Sequence, residues 1–286
     1  MKPLDYGLCL LVMLIWGLNF VIAKLGIQEL PPIFLIGLRF ALVAALLLPF
    51  VAVPVKLLPK ILLLSLTLGG LHFSLMFTAL QRLDASTASV AIQLQVPFAA
   101  LLSRLVLGER LGPRRLAGMV LAFTGIVIMA GEPRIGRDLL ALGLALAAAL
   151  VWAAANIQIK FLGRIDGFSL NAWMSLLAAP QLLLFSWWFE DGQWQALATA
   201  GWRGWGAVLY MALGVTIVGY GLWYRLLARH PVSVLVPFTL LVPVIGVITG
   251  VGLLDEPWSE RIALGSAVTV LGVGIIVIPW RHWRSR

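Results

Sequence analysis

Two segments of the chain carry aromatic and polar side chains at a spacing that could build a binding site. The same three residue types occur in both: Trp16, Asn19 and Lys24 in the first, and Trp152, Asn156 and Lys160 in the second. The step from tryptophan to lysine is eight residues each time. Residues three or four apart share one face of a helix, and an asparagine amide can bond both carboxylate and amino groups. We predict that both pairs contact a substrate; the alternative is that the asparagines only join neighbouring helices.

Further polar and aromatic side chains lie inside apolar runs. We predict that these residues line the same substrate path: His72, Gln93, Gln95, Tyr220, Trp223 and Tyr224. Polar groups at membrane depth are costly and normally face the interior of a helix bundle. Packing is the alternative for His72 and for the aromatic residues, and it is the commoner role of an aromatic stripe such as 220–224. Gln93 and Gln95 could instead bond backbone carbonyls that are freed around Pro97.

Three prolines and two lysines mark places where helices could break or close. Pro97, Pro237 and Pro243 are predicted to interrupt two helices at depth, and breaks at corresponding positions of two halves point to a binding site. Lys24 and Lys160 are predicted gate residues at helix ends. The alternative is that both lysines extend along the helix to reach water.

Arg39 lies some eight residues into an apolar run, with no carboxylate at a matching depth. Its side chain could extend to water, bond backbone carbonyls, or bind a substrate carboxylate. The sequence alone favours a structural role.

Carboxylates are missing from the middle of every apolar run, because all twelve acidic residues fall at run ends or between runs. Exporters of lipophilic cations that are driven by protons, and sodium sites built on carboxylates, need such a group at depth. Both are therefore disfavoured. The chain also has no Gly-x4-Gly-Lys-Ser/Thr phosphate loop, and we predict no cofactor and no metal site.

Composition requires that these side chains be positioned by helices in a membrane. Hydrophobic residues make up 61% of the 286 residues and charged residues only 12%, far from the soluble norm of about a quarter charged. The net charge of +9 comes from short basic clusters between apolar runs, which argues against nucleic-acid binding. The single cysteine, Cys9, cannot form a disulfide within the chain.

Ten apolar runs are long enough to cross a bilayer, which takes about 20 residues. They predict an all-α polytopic membrane protein with spans near 5–25, 32–53, 60–81, 86–107, 113–131, 139–160, 168–189, 204–226, 232–253 and 261–280. Fourteen basic residues lie in the N-terminal tail, the even-numbered loops and the C-terminal tail, against five in the odd-numbered loops. This asymmetry predicts that both termini are cytoplasmic.

The two halves of the chain resemble each other. The run Leu107-Gly108-Glu109-Arg110-Leu111 and the run Leu254-Asp255-Glu256-Pro257-Trp258 are 147 residues apart, and each is followed by two glycines at helix-packing spacing. Five spans per copy is an odd number, so the second copy must enter the membrane from the opposite side. We predict two inverted five-helix repeats, residues 1–131 and 139–286, an arrangement typical of secondary transporters.

Four motifs resemble the EamA-type exporters of the drug/metabolite transporter superfamily: Trp16-Gly17-Leu18-Asn19-Phe20, the segment from Pro31-Pro32 to Leu38-Arg39-Phe40, Leu107-Gly108-Glu109-Arg110-Leu111, and Ile217-Val218-Gly219-Tyr220-Gly221. The resemblance covers nearly the whole chain. It implies export of amino acids or related metabolites from a bacterial inner membrane, without choosing the solute. The run Asp255-Glu256-Pro257 departs from the family pattern, which has Gly-Glu followed by a basic residue, and we expect this to alter a loop only.

These observations predict a secondary transporter of small metabolites, most simply amino acids, that works by alternating access and by uniport. Its partners would be a small-molecule substrate and membrane lipid, with a homodimer left open. A proton-coupled antiporter of drugs or other hydrophobic or aromatic solutes, acting through His72, is the alternative. A membrane enzyme is disfavoured because no paired carboxylates or clustered histidines occur at depth. A structural subunit would leave the Trp-Asn-Lys repeat a coincidence.

Overall fold

The structure is a computed structural model that describes residues 2–108, 112–132, 138–163, 165–227, 229–230 and 235–277. Within these ranges, nine helices are long and apolar enough to cross a membrane: α1 Pro3–Gly26, α2 Pro32–Phe50, α3 Val55–Arg82, α4 Ala85–Val106, α5 Pro113–Ala130, α6 Leu139–Leu162, α7 Gly167–Phe189, α8 Trp202–Trp223 and α10 Glu260–Val277. A shorter apolar helix, α9 Phe238–Leu254, lies between the last two. The chain is therefore a multi-pass helical membrane protein.

Nine of the ten predicted spans match a helix of spanning length. The exception is the ninth, predicted at 232–253, because α9 is shorter and its first residues belong to a 3-10 turn at Val236–Leu240. Residues 231–234 lie outside the described ranges. A short helix at Gln193–Thr199 occupies the loop that precedes α8. Proline is the first residue of α1, α2 and α5, where its missing N–H costs no helical hydrogen bond.

Four helices contain irregular turns that the sequence did not predict in this form. α3 and α8 contain π-helical segments, at Ser65–His72 and Tyr210–Tyr220. α4 contains a 3-10 turn at Ile92–Leu94, and the turn at Val236–Leu240 leads into α9. Backbone groups inside a membrane must find partners within the protein, and wide or tight turns of this kind often mark functional sites.

Helices α5 and α10 pack so closely that only glycine fits at two points of their contact. A Cβ on Gly118 would lie 2.7 Å from the Gly272 carbonyl oxygen, and one on Gly125 would lie 2.6 Å from the Gly265 carbonyl oxygen. Small residues let two helices approach until their backbones touch. The spacing of these glycines is typical of helix packing, and the structure uses these faces for a contact inside one chain.

The other helices also pack in pairs: α2 against α7, α1 against α9, α4 against α6, α3 against α6, and α1 against α8. Two of these contacts also depend on glycine. A Cβ on Gly17 would meet Ile245 at 2.5 Å, and one on Gly37 would meet Leu183 at 2.9 Å. Close packing of α1, α2, α3, α6 and α8 leaves their inner faces converging on one place.

Candidate functional site

Rings from α3 and α6 meet the guanidinium of α2 in the interior of the bundle. The ring centroids of Trp152 and His72 are 4.8 Å apart, and those of His72 and Phe73 are 4.7 Å apart. The Arg39 guanidinium carbon lies 5.2 Å from the centroid of Phe73 and 5.2 Å from that of Phe40. His72 bonds the Ala148 carbonyl through Nδ1 at 2.9 Å, so Nδ1 carries the proton.

The same guanidinium joins α2 to α8 and, through α8, to α1. Arg39 donates to the Thr216 hydroxyl from Nε at 3.3 Å and from Nη2 at 2.9 Å. Trp16 packs against two rings of α8, with centroids 5.2 Å from Tyr220 and 5.4 Å from Trp223. A connected set therefore runs through five helices. We call it the central cluster: Trp16, Arg39, His72, Phe73, Trp152, Thr216, Tyr220 and Trp223.

The central cluster lies near the middle of the bilayer. Trp16 comes ten residues before the end of α1, and His72 comes ten residues before the end of α3. At 1.5 Å per residue, both lie about 15 Å from the helix ends. The hydrocarbon core of a bilayer is about 30 Å thick, so these depths correspond to its midplane.

Arg39 is the energetic outlier of the cluster. It is 3% exposed, and no carboxylate of the described residues lies within ion-pair distance of it. Moving an unpaired cation from water into a protein interior has an idealised cost of order 20 kcal/mol. Cation–π contacts of about 2 kcal/mol each and bonds to one neutral hydroxyl offset only part of that cost. A buried charge whose cost the protein offsets only in part is characteristic of functional sites.

The π-helical segment of α8 helps to hold this arrangement. The Thr216 hydroxyl donates to the Met211 carbonyl oxygen at 2.9 Å, five residues earlier. That commits its only proton and leaves its oxygen to accept both bonds from Arg39. The irregular turn thus orients the guanidinium, and neither the turn nor the pairing of Arg39 with Thr216 was predicted from sequence.

The structure brings some predicted residues to the cluster and leaves others away from it. The Asn19 Oδ1 is buried without a hydrogen-bond partner among the described residues, and so is Trp16 Nε1 in the cluster itself. Gln93 is buried in the 3-10 turn of α4, and the Oε1 of neighbouring Gln95 is buried and unpartnered within the described part of the chain. Asn156, in contrast, is exposed on α6.

The predicted helix breaks and the two remaining candidates, Tyr224 and Lys160, belong to four different helices or to the turns beside them. Pro97 follows the 3-10 turn of α4, and Pro243 is buried within α9. Pro237 belongs to the turn before α9, and Tyr224 belongs to the helix that continues α8. The side chains of these last two fall outside the described part of the structure. Lys160 is exposed at the end of α6.

Charged side chains hold together the ends of α3, α4 and α1 on one face, which carries the odd-numbered loops and which we call the odd-loop face. The Lys24 ammonium donates to the carbonyl oxygens of Leu80 and Leu83, each at 2.6 Å, at the end of α3. The Glu256 carboxylate accepts from the Ala85 and Ser86 amides, at 2.5 and 2.9 Å, at the start of α4. The cation thus lies at the negative C-terminal end of α3, and the carboxylate lies at the positive N-terminal end of α4, next to the same turn.

Two further carboxylates cross-link this face. Glu29 accepts from the Gly201 and Gly204 amides before and within α8, at 2.9 and 2.7 Å. Glu190 accepts from the amides of Ile33 and Phe34 at the start of α2, at 2.7 and 3.0 Å. Burial raises the pKa of the Glu190 carboxyl above its ordinary value of 4.5, against the opposing effect of these hydrogen bonds. Side-chain bonds thus join helix ends and loops across the odd-loop face.

Asp255 takes the left-handed conformation, with a φ of +51°, directly before Glu256. Gly108, its counterpart 147 residues earlier, has a φ of +68°. Aspartate is among the few residues that tolerate this region, so the departure from the glycine of the family pattern keeps the backbone turn. In the described ranges, no three His, Cys, Asp or Glu side chains converge so as to hold a metal ion.

The fold and the cluster define a multi-pass membrane transporter, and comparison with known proteins shows its family. The model of the EamA-like transporter family matches residues 5–131 and 139–278. The chain belongs to that family, which lies within the drug/metabolite transporter superfamily.

Relatives agree over the whole length. A protein of Escherichia coli K12 described as a probable amino-acid metabolite efflux pump is 36% identical, covering 100% of this chain and 98% of the relative, and one of Salmonella typhimurium matches equally. An uncharacterized transporter of Bacillus subtilis is 27% identical over 92% of both chains. A crystal structure at 21% identity matches both chains completely with a TM-score of 0.66, which bears on the fold.

Proposed function

We propose that this chain carries small neutral or zwitterionic metabolites, amino acids first among them, out of a bacterial cell across the inner membrane. The observation that supports this most strongly is the central cluster, which is buried at mid-bilayer depth and combines a cation, a histidine and aromatic faces. A few convergent polar groups among aromatic side chains are what a site for a small amphiphilic solute requires. The relatives described as probable amino-acid metabolite efflux pumps support the choice of amino acids.

The proposed mechanism is alternating access between two inverted five-helix halves, 1–131 and 139–286. The helix pairs support it. When each helix is replaced by its counterpart in the other half, five helices along the chain, the set of contacting pairs stays the same. The α1–α9 pair corresponds to α6–α4 and the α1–α8 pair to α6–α3, while α2–α7 and α5–α10 each join a helix to its own counterpart. The cluster draws α1, α2 and α3 from one half and α6 and α8 from the other, as a site between repeats should.

The proposed orientation has both termini in the cytoplasm, and the excess of lysine and arginine in the even-numbered loops and the tails supports it. The odd-loop face then looks outward. Its closure by Lys24, Glu29, Glu190 and Glu256 is what an outward gate needs in a state that is shut to the outside.

Uniport is the proposed energetic mode, since no carboxylate of the described residues joins the central cluster. Proton-coupled antiport is the second candidate, and the position of His72 within the cluster is what favours it. The His72→Ala variant separates the two: antiport through this residue should lose its response to a pH gradient, whereas uniport has no response to lose. His230, which lies 3.1 Å from Asp5 outside the cluster, provides the control as His230→Ala.

Uptake of labelled amino acids into proteoliposomes tests the proposal, with protein-free vesicles as the background and with or without an imposed pH gradient. Saturable uptake that ignores the gradient would support an amino-acid uniporter. Uphill uptake driven by the gradient would replace uniport with antiport. If none of the twenty amino acids enters above background, the substrate class is wrong and only the family assignment stands.

A further inference from the structure

We infer that Arg39 binds the carboxylate of the transported solute, so that only metabolites with a free carboxylate are substrates. The inference rests on the proposed function and makes it more specific. Arg39 lies seven residues after the start of α2, about 10 Å from that helix end, which is too deep for a buried side chain to reach water. The structure thus excludes the extended, water-reaching conformation that the sequence allowed.

The guanidinium has more donors than the protein uses. Of its five N–H groups, one on Nε and one on Nη2 donate to a single oxygen, the Thr216 hydroxyl. Thr216 is itself 2% exposed and is fixed by its bond to the Met211 carbonyl. The N–H groups left on Nη1 and Nη2 can donate two parallel hydrogen bonds to a carboxylate, and the bond to Thr216 already fixes their plane.

Unpartnered groups on α1 complement the cation. Asn19 Oδ1 is a buried acceptor and Trp16 Nε1 a buried donor, and neither has a partner in the described ranges. The two residues lie three apart on one helical face, and Trp16 packs on Tyr220, one turn beyond Thr216. Asn19 Oδ1 is suited to accept from an amino group while Arg39 binds the carboxylate. The pattern fits an amino acid, with the tryptophan and tyrosine faces against its side chain.

A purely structural role for Arg39 makes a different prediction. If the guanidinium only joins α2 to α8 through Thr216, the site does not distinguish a solute's carboxylate from its amide. An amino acid and its primary amide, which differ by one charge at nearly equal volume, would then compete equally. If Arg39 is the anchor, the amide loses the ionic partner and leaves the buried cation uncompensated.

The test uses the full-length protein in proteoliposomes. Each of the twenty amino acids is screened for saturable uptake, and every transported one is then compared with its own primary amide as a competitor. We expect the amide to compete at least about thirtyfold more weakly, the low end for breaking a buried charged pair. This comparison needs no variant and holds even where a change at Arg39 prevents folding.

Two variants assign the effect to the residue. Arg39→Gln should weaken binding of the amino acid at least about thirtyfold while leaving the weak binding of its amide nearly unchanged. Arg39→Lys keeps the charge but not the fork and should fall between the two. Arg203, exposed at the start of α8, gives the matched control Arg203→Gln, which should behave as wild type. The thermal unfolding midpoint checks folding of each variant.

Equal competition by acid and amide in the wild type, or unchanged amino-acid affinity in a folded Arg39→Gln protein, would overturn the inference and leave amino-acid transport intact. Absence of uptake for all twenty amino acids would overturn the proposed function together with the inference. Stronger binding of amines or amides than of acids would mean that the site does not recognise a carboxylate, and it would also overturn the inference.

Discussion

Removal of the Glu256 carboxylate should open the odd-loop face. The carboxylate is 7% exposed and accepts two amide hydrogen bonds at the start of α4, so its charge lies against the positive end of that helix. Hydrogen bonds to charged groups contribute about 1.5–3 kcal/mol each. If both bonds exist only in the closed state, Glu256→Ala shifts the equilibrium by about 3 kcal/mol or more, which is over a hundredfold. A protein that is about 99% closed would become about half open.

Distances between two spin labels measure this shift. Gln81 at the end of α3 and Trp258 after α9 are both exposed on the odd-loop face, and Cys9, the single native cysteine, is buried and can be replaced. Labels at the two exposed positions should give one short distance in the wild type. Glu256→Ala should add a longer one, and Glu256→Gln, which keeps one acceptor, should add less.

Glu260 provides the control, because it lies in the same region, is exposed, and carries the same charge. Glu260→Gln should leave the distance distribution as in the wild type. The reasoning fails if Glu256→Ala gives the wild-type distribution, or if Glu260→Gln opens the face as far. Either result would mean that the bonds at the start of α4 do not hold the closed state.

Two further predictions concern stability. Gly125→Val places two methyl groups against the backbone of α10 and should lower the free energy of unfolding by about 1–3 kcal/mol, which a lower thermal unfolding midpoint would show. Gly143→Ala is the control, because a Cβ there meets open space and should not lower the midpoint. For Glu190 the raised pKa means that its contribution to stability is fully present below about pH 4.5 and is lost as the pH rises through the raised value. The midpoint of Glu190→Gln relative to wild type should therefore increase with pH.

Most of the fold could be predicted because a bilayer imposes length. A helix that crosses it must be apolar for about 20 residues, and such runs are visible in composition alone. The α9 region shows where this fails. Its 3-10 segment at Val236–Leu240 contains Pro237, which sequence marks as a break, but a run of apolar residues says nothing about wide turns within it, so the π-helical segments at Ser65–His72 and Tyr210–Tyr220 had no signal. Backbone irregularity depends on tertiary contacts rather than on hydrophobicity.

The candidate site was predicted less completely, and Asn156 shows why. Trp16 and Asn19 are three residues apart, but Trp152 and Asn156 are four apart, and one extra residue rotates a helix by about 100°. Ala155 occupies the position equivalent to Asn19, and it is buried. The two asparagines therefore look alike in sequence while facing different surroundings.

Arg39 shows a second limit. Sequence gives the depth of a residue in a helix, but the direction of a side chain within a bundle depends on which neighbours pack against that helix. Only the contact of α2 with α8 reveals that the guanidinium meets Thr216 rather than lipid headgroups or water. The absence of a carboxylate at the depth of Arg39 was a sequence signal in favour of a ligand that pairs with this arginine.

The glycine contact between α5 and α10 has a consequence for synthesis in the cell. Gly125 leaves the ribosome roughly 140 residues before its partner Gly265. At about 5–20 residues per second, the glycine face of α5 waits on the order of ten seconds or more for its partner. During that interval it can bind another small-residue helix, so assembly of this protein should be sensitive to translation speed across its second half and to crowding of nascent helices at the insertion site.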